Sequence, residues 1–335
     1  MYYDNGGGAS REMAAIPENL KEGRLMSKIL IVDDDVDLAE LLRTKLLDEG
    51  HEVAVIHTGD GAFELAKQFK PEMAILDIML PGVTGYQICR RIRKDPELYK
   101  IGILILTALG EEPEVQHGLE QGADDFLAKP FKLDHLIEKL AGLTALQESI
   151  ERRNPTTNLP GTESIKREIN HKLARGMAIA ACYIDIVGFK PYCAAYGQQG
   201  QKRALEFISQ TLVKLVRNIG LYECFVAHLG GEHFVVMMNL ADFERFCSTL
   251  MQSFDGTVGQ LYTPKELKQG YVIATDRKGK EAKYPLMALS IGVAHTQHRN
   301  FKSAKKMFEV LAQTRQMAKP NGTSVVFVDR RHADR

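Results

Sequence analysis

Between residues 28 and 131 five short apolar runs alternate with amphipathic segments, and this alternation constrains the fold more tightly than any other feature of the chain. Ile29–Val32, His51–Ile56, Met73–Leu76, Ile101–Leu106 and Asp125–Ala128 are short and end at turn or polar residues. Runs of this kind read as buried strands. Leu38, Leu41, Leu42 and Leu46 fall on one helical face that ends at Gly50, and further helices are expected over Gly61–Phe69, Gly85–Arg93 and Pro113–Gln121. Strands alternating with helices over about 120 residues argue an α/β doubly wound parallel sheet. Such a sheet gathers its reactive groups at the carboxyl ends of the strands.

The residues that close these runs are chemically informative. Asp33 and Asp34 follow the first run, Asp77 the third, Thr107 the fourth and Lys129 the fifth. Asp77 precedes Ile78-Met79-Leu80-Pro81-Gly82, and a carboxylate there can serve as nucleophile, metal ligand or both. Clustered carboxylates resist ionisation beside one another. A divalent cation removes that cost, and hard oxygen donors with room for water suit Mg²⁺. Lys129 and the Thr107 hydroxyl are then placed to hold two oxygens of a phosphoryl group. Phosphoryl transfer needs positioning and charge neutralisation above all, so the set suffices, with Asp77 as nucleophile.

A helix beginning near Leu133 carries Leu133, Leu136, Leu140, Leu143, Gln147 and Ile150 at alternating three- and four-residue spacing. That spacing is an a/d seam suited to pairing two chains as a short coiled coil, so a homodimer is expected. The turn-rich stretch Arg152–Gly161 reads as a linker. Beyond it, strands are expected over Met177–Ile186, Cys224–His228, Phe234–Met238, Gly270–Ala274, Tyr284–His295 and Ser324–Val328. Helices are expected over Lys202–Ile219, Ala241–Phe254 and Ser303–Ala318. Strands and helices without strict alternation suggest a mixed α+β sheet. The expected organisation is a disordered extension over 1–27, a first domain over 28–147, a helical extension and linker over 148–160, and a second domain over 161–333.

Composition narrows the classes. A net charge of 0 offers no basic field for nucleic acid or an anionic membrane. No apolar run approaches the roughly 20 residues that span a bilayer, so no membrane insertion is expected. Five scattered cysteines without a C-x-x-C pair read as reduced, mostly buried thiols of a cytoplasmic protein.

At the level of motifs the chain resembles two known families. Ile29-Leu30-Ile31-Val32-Asp33-Asp34, Leu76-Asp77-Ile78-Met79-Leu80-Pro81-Gly82, Leu106-Thr107-Ala108 and Gly122-Ala123-Asp124-Asp125-Phe126-Leu127-Ala128-Lys129-Pro130-Phe131 are similar, in order and spacing, to the receiver domain of two-component response regulators. The resemblance implies a flavodoxin-like fold and phosphorylation of Asp77 by a histidine kinase. It implies Mg²⁺ held by Asp34 and Asp77, with Asp33 acting through water and the Met79 carbonyl as a further ligand. It also makes Phe126 the switch aromatic.

The back half resembles the GGDEF domain of diguanylate cyclases, an α+β fold of the nucleotidyl cyclase type. The likeness rests on Asn158-Leu159-Pro160-Gly161, Tyr183–Lys190, Tyr196-Gly197, Gly230-Gly231-Glu232-His233-Phe234, Ser290–Ala294 and Ala318-Lys319. Active members join two GTP molecules into cyclic di-GMP. Asp185 and Glu232 stand at the metal positions, which leaves residual GTP-Mg²⁺ binding open. His233 replaces the second acid of the signature and cannot supply its negative charge. Cys193 stands where asparagine reads guanine, and Lys202 where an aspartate accepts guanine's donors, so that contact is inverted. Thr323 lies where an arginine grips phosphate, although Lys319 survives, and Arg217–Gly220 lacks the acid of the product-inhibition motif. Each such contact contributes about 2–4 kcal/mol to the transition state, and losing several together argues against activity.

Three readings follow. The first is a response regulator whose phosphorylation switches a degenerate, non-catalytic output domain through dimerisation or an unknown downstream protein. The second is an active diguanylate cyclase with an altered site, and the third is a sensor of GTP or cyclic di-GMP. No DNA partner is expected, because no basic recognition helix follows the first domain.

Overall fold

The computed structural model describes residues 26–108, 121–221, 223–275, 279–318 and 322–331. The extension expected over 1–27 (apart from Met26 and Ser27), the helix expected over 113–121 (apart from Gln121) and Lys319 lie outside them.

Five strands form the first sheet: β1 (Lys28–Val32), β2 (Glu52–Ile56), β3 (Met73–Asp77), β4 (Gly102–Thr107) and β5 (Asp125–Ala128). All pairings are parallel, in the order β2-β1-β3-β4-β5. Every residue of β3 and β4 is buried, as continuous apolar strands covered on both faces must be. Helices α1 (Val36–Asp48), α2 (Ala62–Phe69), α3 (Gly85–Lys94) and α4 (Leu133–Glu151) cover them. One face packs Ile29, Ile31, Leu42 and Leu46 with Leu136, Leu140 and Leu143, and the other packs Leu30, Val32 and Leu76 with Ile88 and Ile92.

The leucine seam of α4 is therefore used within its own chain. Leu136, Leu140, Leu143 and Ile150 are all buried, Gln147 donates to the Lys100 carbonyl, and the Ser164 hydroxyl donates to the Ile150 carbonyl. The coiled-coil pairing expected through this seam is corrected: a helix over a sheet and a helix in a coiled coil need the same apolar spacing, and here the sheet and the next helix take it.

A second sheet has the order β12-β11-β6-β8-β7, built from β6 (Ile179–Val187), β7 (Phe225–Gly230), β8 (His233–Asn239), β11 (Ala288–His295) and β12 (Val325–Val328). The β11–β12 pair is parallel and the others antiparallel, which gives the expected α+β sheet. The single strand expected over 284–295 is two. β10 (Glu281–Pro285) joins β9 (Tyr271–Thr275) in a separate ribbon with alternating exposure, whereas β11 is buried throughout. Pro285 has no N–H to continue a ladder, so the chain changes sheets there.

Helices α5 (Thr162–Ala174), α6 (Phe189–Asn218), α7 (Phe243–Thr257), α8 (Pro264–Gln269) and α9 (Ala304–Met317) complete the described fold. α5 was not legible as a helix. Ile165 and Ile169 face the second core, but its other buried positions are Ser164, Arg167, His171 and Lys172.

Two of those polar residues, Arg167 and His171, reach across to the first half, whereas Lys172 pairs with Glu223 in its own half. Arg167 Nη2 lies 2.8 Å from Oδ1 of Asp124, and Arg93 Nη2 lies 2.8 Å from Oδ2 of the same carboxylate. Arg93 also donates to the carbonyls of Gly122, Tyr99 and Ile101. His171 Nδ1 donates to the Arg93 carbonyl at 2.7 Å and its ring stacks on Tyr99, whose hydroxyl donates to Glu168 at 2.8 Å. Burial, with the like charge of Arg93, lowers the Arg167 guanidinium from its usual value.

Candidate functional sites in the two domains

The carboxyl ends of β1 and β3 and the residue following β5 bring Asp33, Asp77 and Lys129 together, as their positions after apolar runs suggested. The Lys129 ammonium donates to Oδ2 of Asp33 at 2.8 Å and to Oδ2 of Asp77 at 2.6 Å. The Asp35 amide donates to Oδ1 of Asp33, and the Met79 amide donates to Oδ1 of Asp77, both at 3.0 Å. Asp33 is fully buried and Asp77 nearly so, while Asp34 is exposed. One oxygen from each of the three carboxylates lies within 4.8 Å of the other two. That is a donor set of hard oxygens open on one side, which fits Mg²⁺.

Burial pushes the Asp33 carboxyl above its usual range, against the pull of Lys129 and the Asp35 amide. Burial likewise works against the Lys129 charge, but the bonds to Asp33 and Asp77 outweigh it and hold the ammonium above its usual value. Thr107 closes β4 as a buried residue beside this cluster, and its carbonyl accepts from the Lys129 amide at 2.6 Å. Phe126 is half-buried on the edge strand β5, with the Lys139 ammonium 5.4 Å from its ring centre. Close packing sets the mouth of the site: a side chain at Gly85 would place its Cβ 2.1 Å from the Asp77 carbonyl oxygen, so only glycine lets α3 start there. Met79 is exposed just beyond Asp77.

In the second sheet Asp185 and His233 are cross-strand partners on β6 and β8, and Glu232 lies one residue away in the Gly230-Gly231 turn. Their ligand atoms also lie within 4.8 Å of one another. Nδ1 of His233 is 2.9 Å from Oδ1 of Asp185, an ion pair when the imidazole is protonated. The other Asp185 oxygen is 3.4 Å from Arg315 Nη1, and Glu232 Oε1 is 3.1 Å from Lys190 Nζ. Burial raises the Asp185 carboxyl above its usual range against His233 and Arg315. Burial also opposes the Glu232 charge, but Lys190 leads the contacts that hold this carboxyl below its usual value.

Sequence reasoning missed Arg315. It arrives because a Cβ at Gly292 would lie 2.6 Å from the Arg315 amide nitrogen, so glycine on β11 lets α9 come down onto the sheet. The signal was present in Ser290-Ile291-Gly292, but the partner lies 23 residues on and no local period links them. The hairpin has its own brace. His228 Nε2 donates to the Gly231 carbonyl at 2.9 Å, Nδ1 accepts from the Thr157 hydroxyl at 3.1 Å, and the ring stacks on Phe234. Burial lowers the His228 imidazole below its usual value. Elsewhere in this half, Cys193 is partly buried and Lys202 pairs with Glu206 at 3.8 Å. All five cysteines are free. Among the described residues no helix is long and apolar enough to cross a membrane.

Residues 29–141 match the family model of the response regulator receiver domain, and residues 153–324 match that of the diguanylate cyclase GGDEF domain. The phosphate regulon transcriptional regulatory protein PhoB of Rhizobium meliloti is 43% identical over 119 residues, which are 36% of this chain and 52% of PhoB. The DNA-binding response regulator MtrA of Mycobacterium tuberculosis is 40% identical over 116 residues, 35% of this chain and 50% of MtrA. The chain thus spans about half the length of the curated relatives it matches. The BeF3-activated N-terminal receiver domain of RstA from Klebsiella pneumoniae is 33% identical and covers 35% of this chain and 97% of its own, with a TM-score of 0.33.

Proposed function

Because the chain belongs to the diguanylate cyclase GGDEF family and carries a response regulator receiver domain ahead of that domain, we propose that it is a phosphorylation-switched regulator whose GGDEF domain is non-catalytic. The observation that carries the first part is the Lys129 bridge between Asp33 and Asp77 at the strand ends. Asp77 is the phosphoacceptor: one carboxylate oxygen forms a bond to phosphorus as the bond from phosphorus to the histidine nitrogen of a kinase breaks. Lys129 then moves its donors from the carboxylates to the arriving phosphoryl oxygens, and the Thr107 hydroxyl turns toward the same group. Asp34, Asp77 and the Met79 carbonyl, with Asp33 behind them, would hold Mg²⁺, which when bound neutralises the charge collected there. Phe126 follows Thr107 inward, and this change of face alters contacts with a second copy or a downstream protein.

The second part is supported by the charges around Asp185. Where a cyclase presents this carboxylate to Mg²⁺ and GTP, this chain meets it with Arg315, and places His233 where an acid belongs. The receiver is assigned to residues 28–147, the connection to 148–160 and the output domain to 161–333.

The test uses the full chain incubated with acetyl phosphate, Mg²⁺ and GTP, with Asp77→Ala as control. Intact-mass measurement is expected to find one phosphoryl group on the parent protein and none on the variant, with no cyclic di-GMP from either. Phosphorylation that survives Asp77→Ala overturns the first part. Cyclic di-GMP formed above a no-protein control overturns the second.

A further inference from the structure

A cleft of about 500 Å³ opens where the two halves meet, between the end of α3, the residues ahead of β5, α5 and the loop that leads into α9. It shares no residue with the carboxylate clusters of either domain. Its charge is one-sided. Among the described residues, six cationic side chains line it against two carboxylates, Asp124 and Glu163, in a chain whose 43 basic and 43 acidic residues balance.

Pairing within the cleft leaves that excess in place. Arg93 and Arg167, exposed by 4% and 7%, share the single Asp124 carboxylate, so a formal positive charge stays buried at the floor. Lys166 takes Glu163 at 2.8 Å. Arg90 and Lys94 are exposed near the end of α3 and have no partner among the described residues, and Lys302 joins from the second half. Buried charge in excess of its counter-ions is costly, and a cleft at a domain boundary with convergent polar groups is a usual place for a small ligand.

We infer that this cleft binds a small phosphate-bearing anion with at least two negative charges. Arg90 and Lys94 belong to the receiver, Lys166 and Lys302 to the second half, so the anion takes donors from both walls. Phosphate oxygens accept several such charge-assisted bonds at once. Leu146, Ile150, Leu173 and Phe301 give the cleft an apolar side, which suits an organic group carried by the phosphates. Its volume lies in the range of small-molecule sites. Because the anion bridges α3 and α5, the docking of the two halves strengthens with its concentration.

The experiment measures binding of inorganic pyrophosphate and of ADP to the full chain by calorimetry, with chelator and without Mg²⁺, at low and high salt. Saturable binding at one site per chain, weakened by salt, is the expected result. ADP and pyrophosphate bind alike if the phosphates carry recognition, and ADP binds more tightly if Leu173 and Phe301 take the nucleoside; both outcomes support the site. The double variant Arg90→Gln with Lys94→Gln should weaken binding at least about tenfold, the loss of two charge-assisted contacts. Glu163→Gln removes a carboxylate from the wall and should strengthen binding about twofold to fivefold. Lys214→Gln, on a helix packed against the opposite face of the second sheet, should leave it unchanged. Amide exchange over residues 162–174 should slow when pyrophosphate is added. Absence of saturable binding overturns the inference, as does equal affinity in the parent and the double variant, weaker binding in Glu163→Gln, or amide exchange that pyrophosphate leaves unchanged.

Discussion

Replacing Arg167 by leucine removes the second half's grip on the receiver without stranding a charge. Asp124 takes Arg167 on Oδ1 and Arg93 on Oδ2, each at 2.8 Å, so in Arg167→Leu the carboxylate keeps its receiver-side partner. What is lost is a set of charge-assisted hydrogen bonds, about 1.5–3 kcal/mol, reduced somewhat because a buried guanidinium no longer has to be desolvated. With RT ln 10 near 1.4 kcal/mol, the population with α5 undocked should rise about tenfold to a hundredfold. Asp124→Ala is the harsher change. It leaves two buried guanidinium groups facing one another without an anion, a loss of about 3–5 kcal/mol. Amide hydrogen exchange over residues 162–174 and 93–101 reads the undocking directly, and proteolysis of the 152–161 connection gives a second measure. Protection in Arg167→Leu equal to that of the parent, or a milder effect from Asp124→Ala than from Arg167→Leu, would refute the shared-carboxylate account.

Lys129→Ala should lower stability in Mg²⁺-free buffer by about 3 kcal/mol, because buried Asp33 and Asp77 lose their common counter-ion. Added Mg²⁺ should then raise the variant's melting temperature more than the parent's, and equal shifts would count against the charge argument. Gly292→Ala should destabilise by about 1–3 kcal/mol, since its Cβ would lie 2.6 Å from the Arg315 amide and force α9 off the sheet. Denaturant melts check this. His228 and His295 both have imidazoles lowered by burial, below the ordinary value of 6.5. The unfolded chain therefore binds more protons than the folded one as pH falls through 6.5, and stability declines there until the folded imidazoles themselves protonate. His228→Phe, which keeps the stack on Phe234 but loses the Gly231 bond, should flatten part of that decline in melts run between neutral and mildly acidic pH.

Much of the receiver was legible from its order of residues, for a physical reason. A parallel sheet makes each strand a short apolar run, and its reactive groups must follow those runs, so Asp33, Asp77 and Lys129 announce their shared location. The GGDEF hairpin was legible through Gly230-Gly231 and its flanking strands. Hidden from the sequence were the contacts that bury polar faces or join distant segments. α5 packs Arg167 and His171 against the receiver, and an apolar-period test passes over such a helix. The α4 seam had the right spacing for a second chain, yet Leu136, Leu140 and Leu143 are buried against the chain's own sheet.

The sequence by itself determined the two folds and the meeting of Asp33, Asp77 and Lys129, because period and strand-end chemistry are local properties of the chain. Only the tertiary structure decided that Arg315 and Lys190 face Asp185 and Glu232, that His233 points an imidazole nitrogen at a carboxylate, and that Asp124 serves two arginines from two domains. Those pairings depend on how closely α9 and α5 approach their neighbours, and that distance is set by packing between segments far apart in the chain.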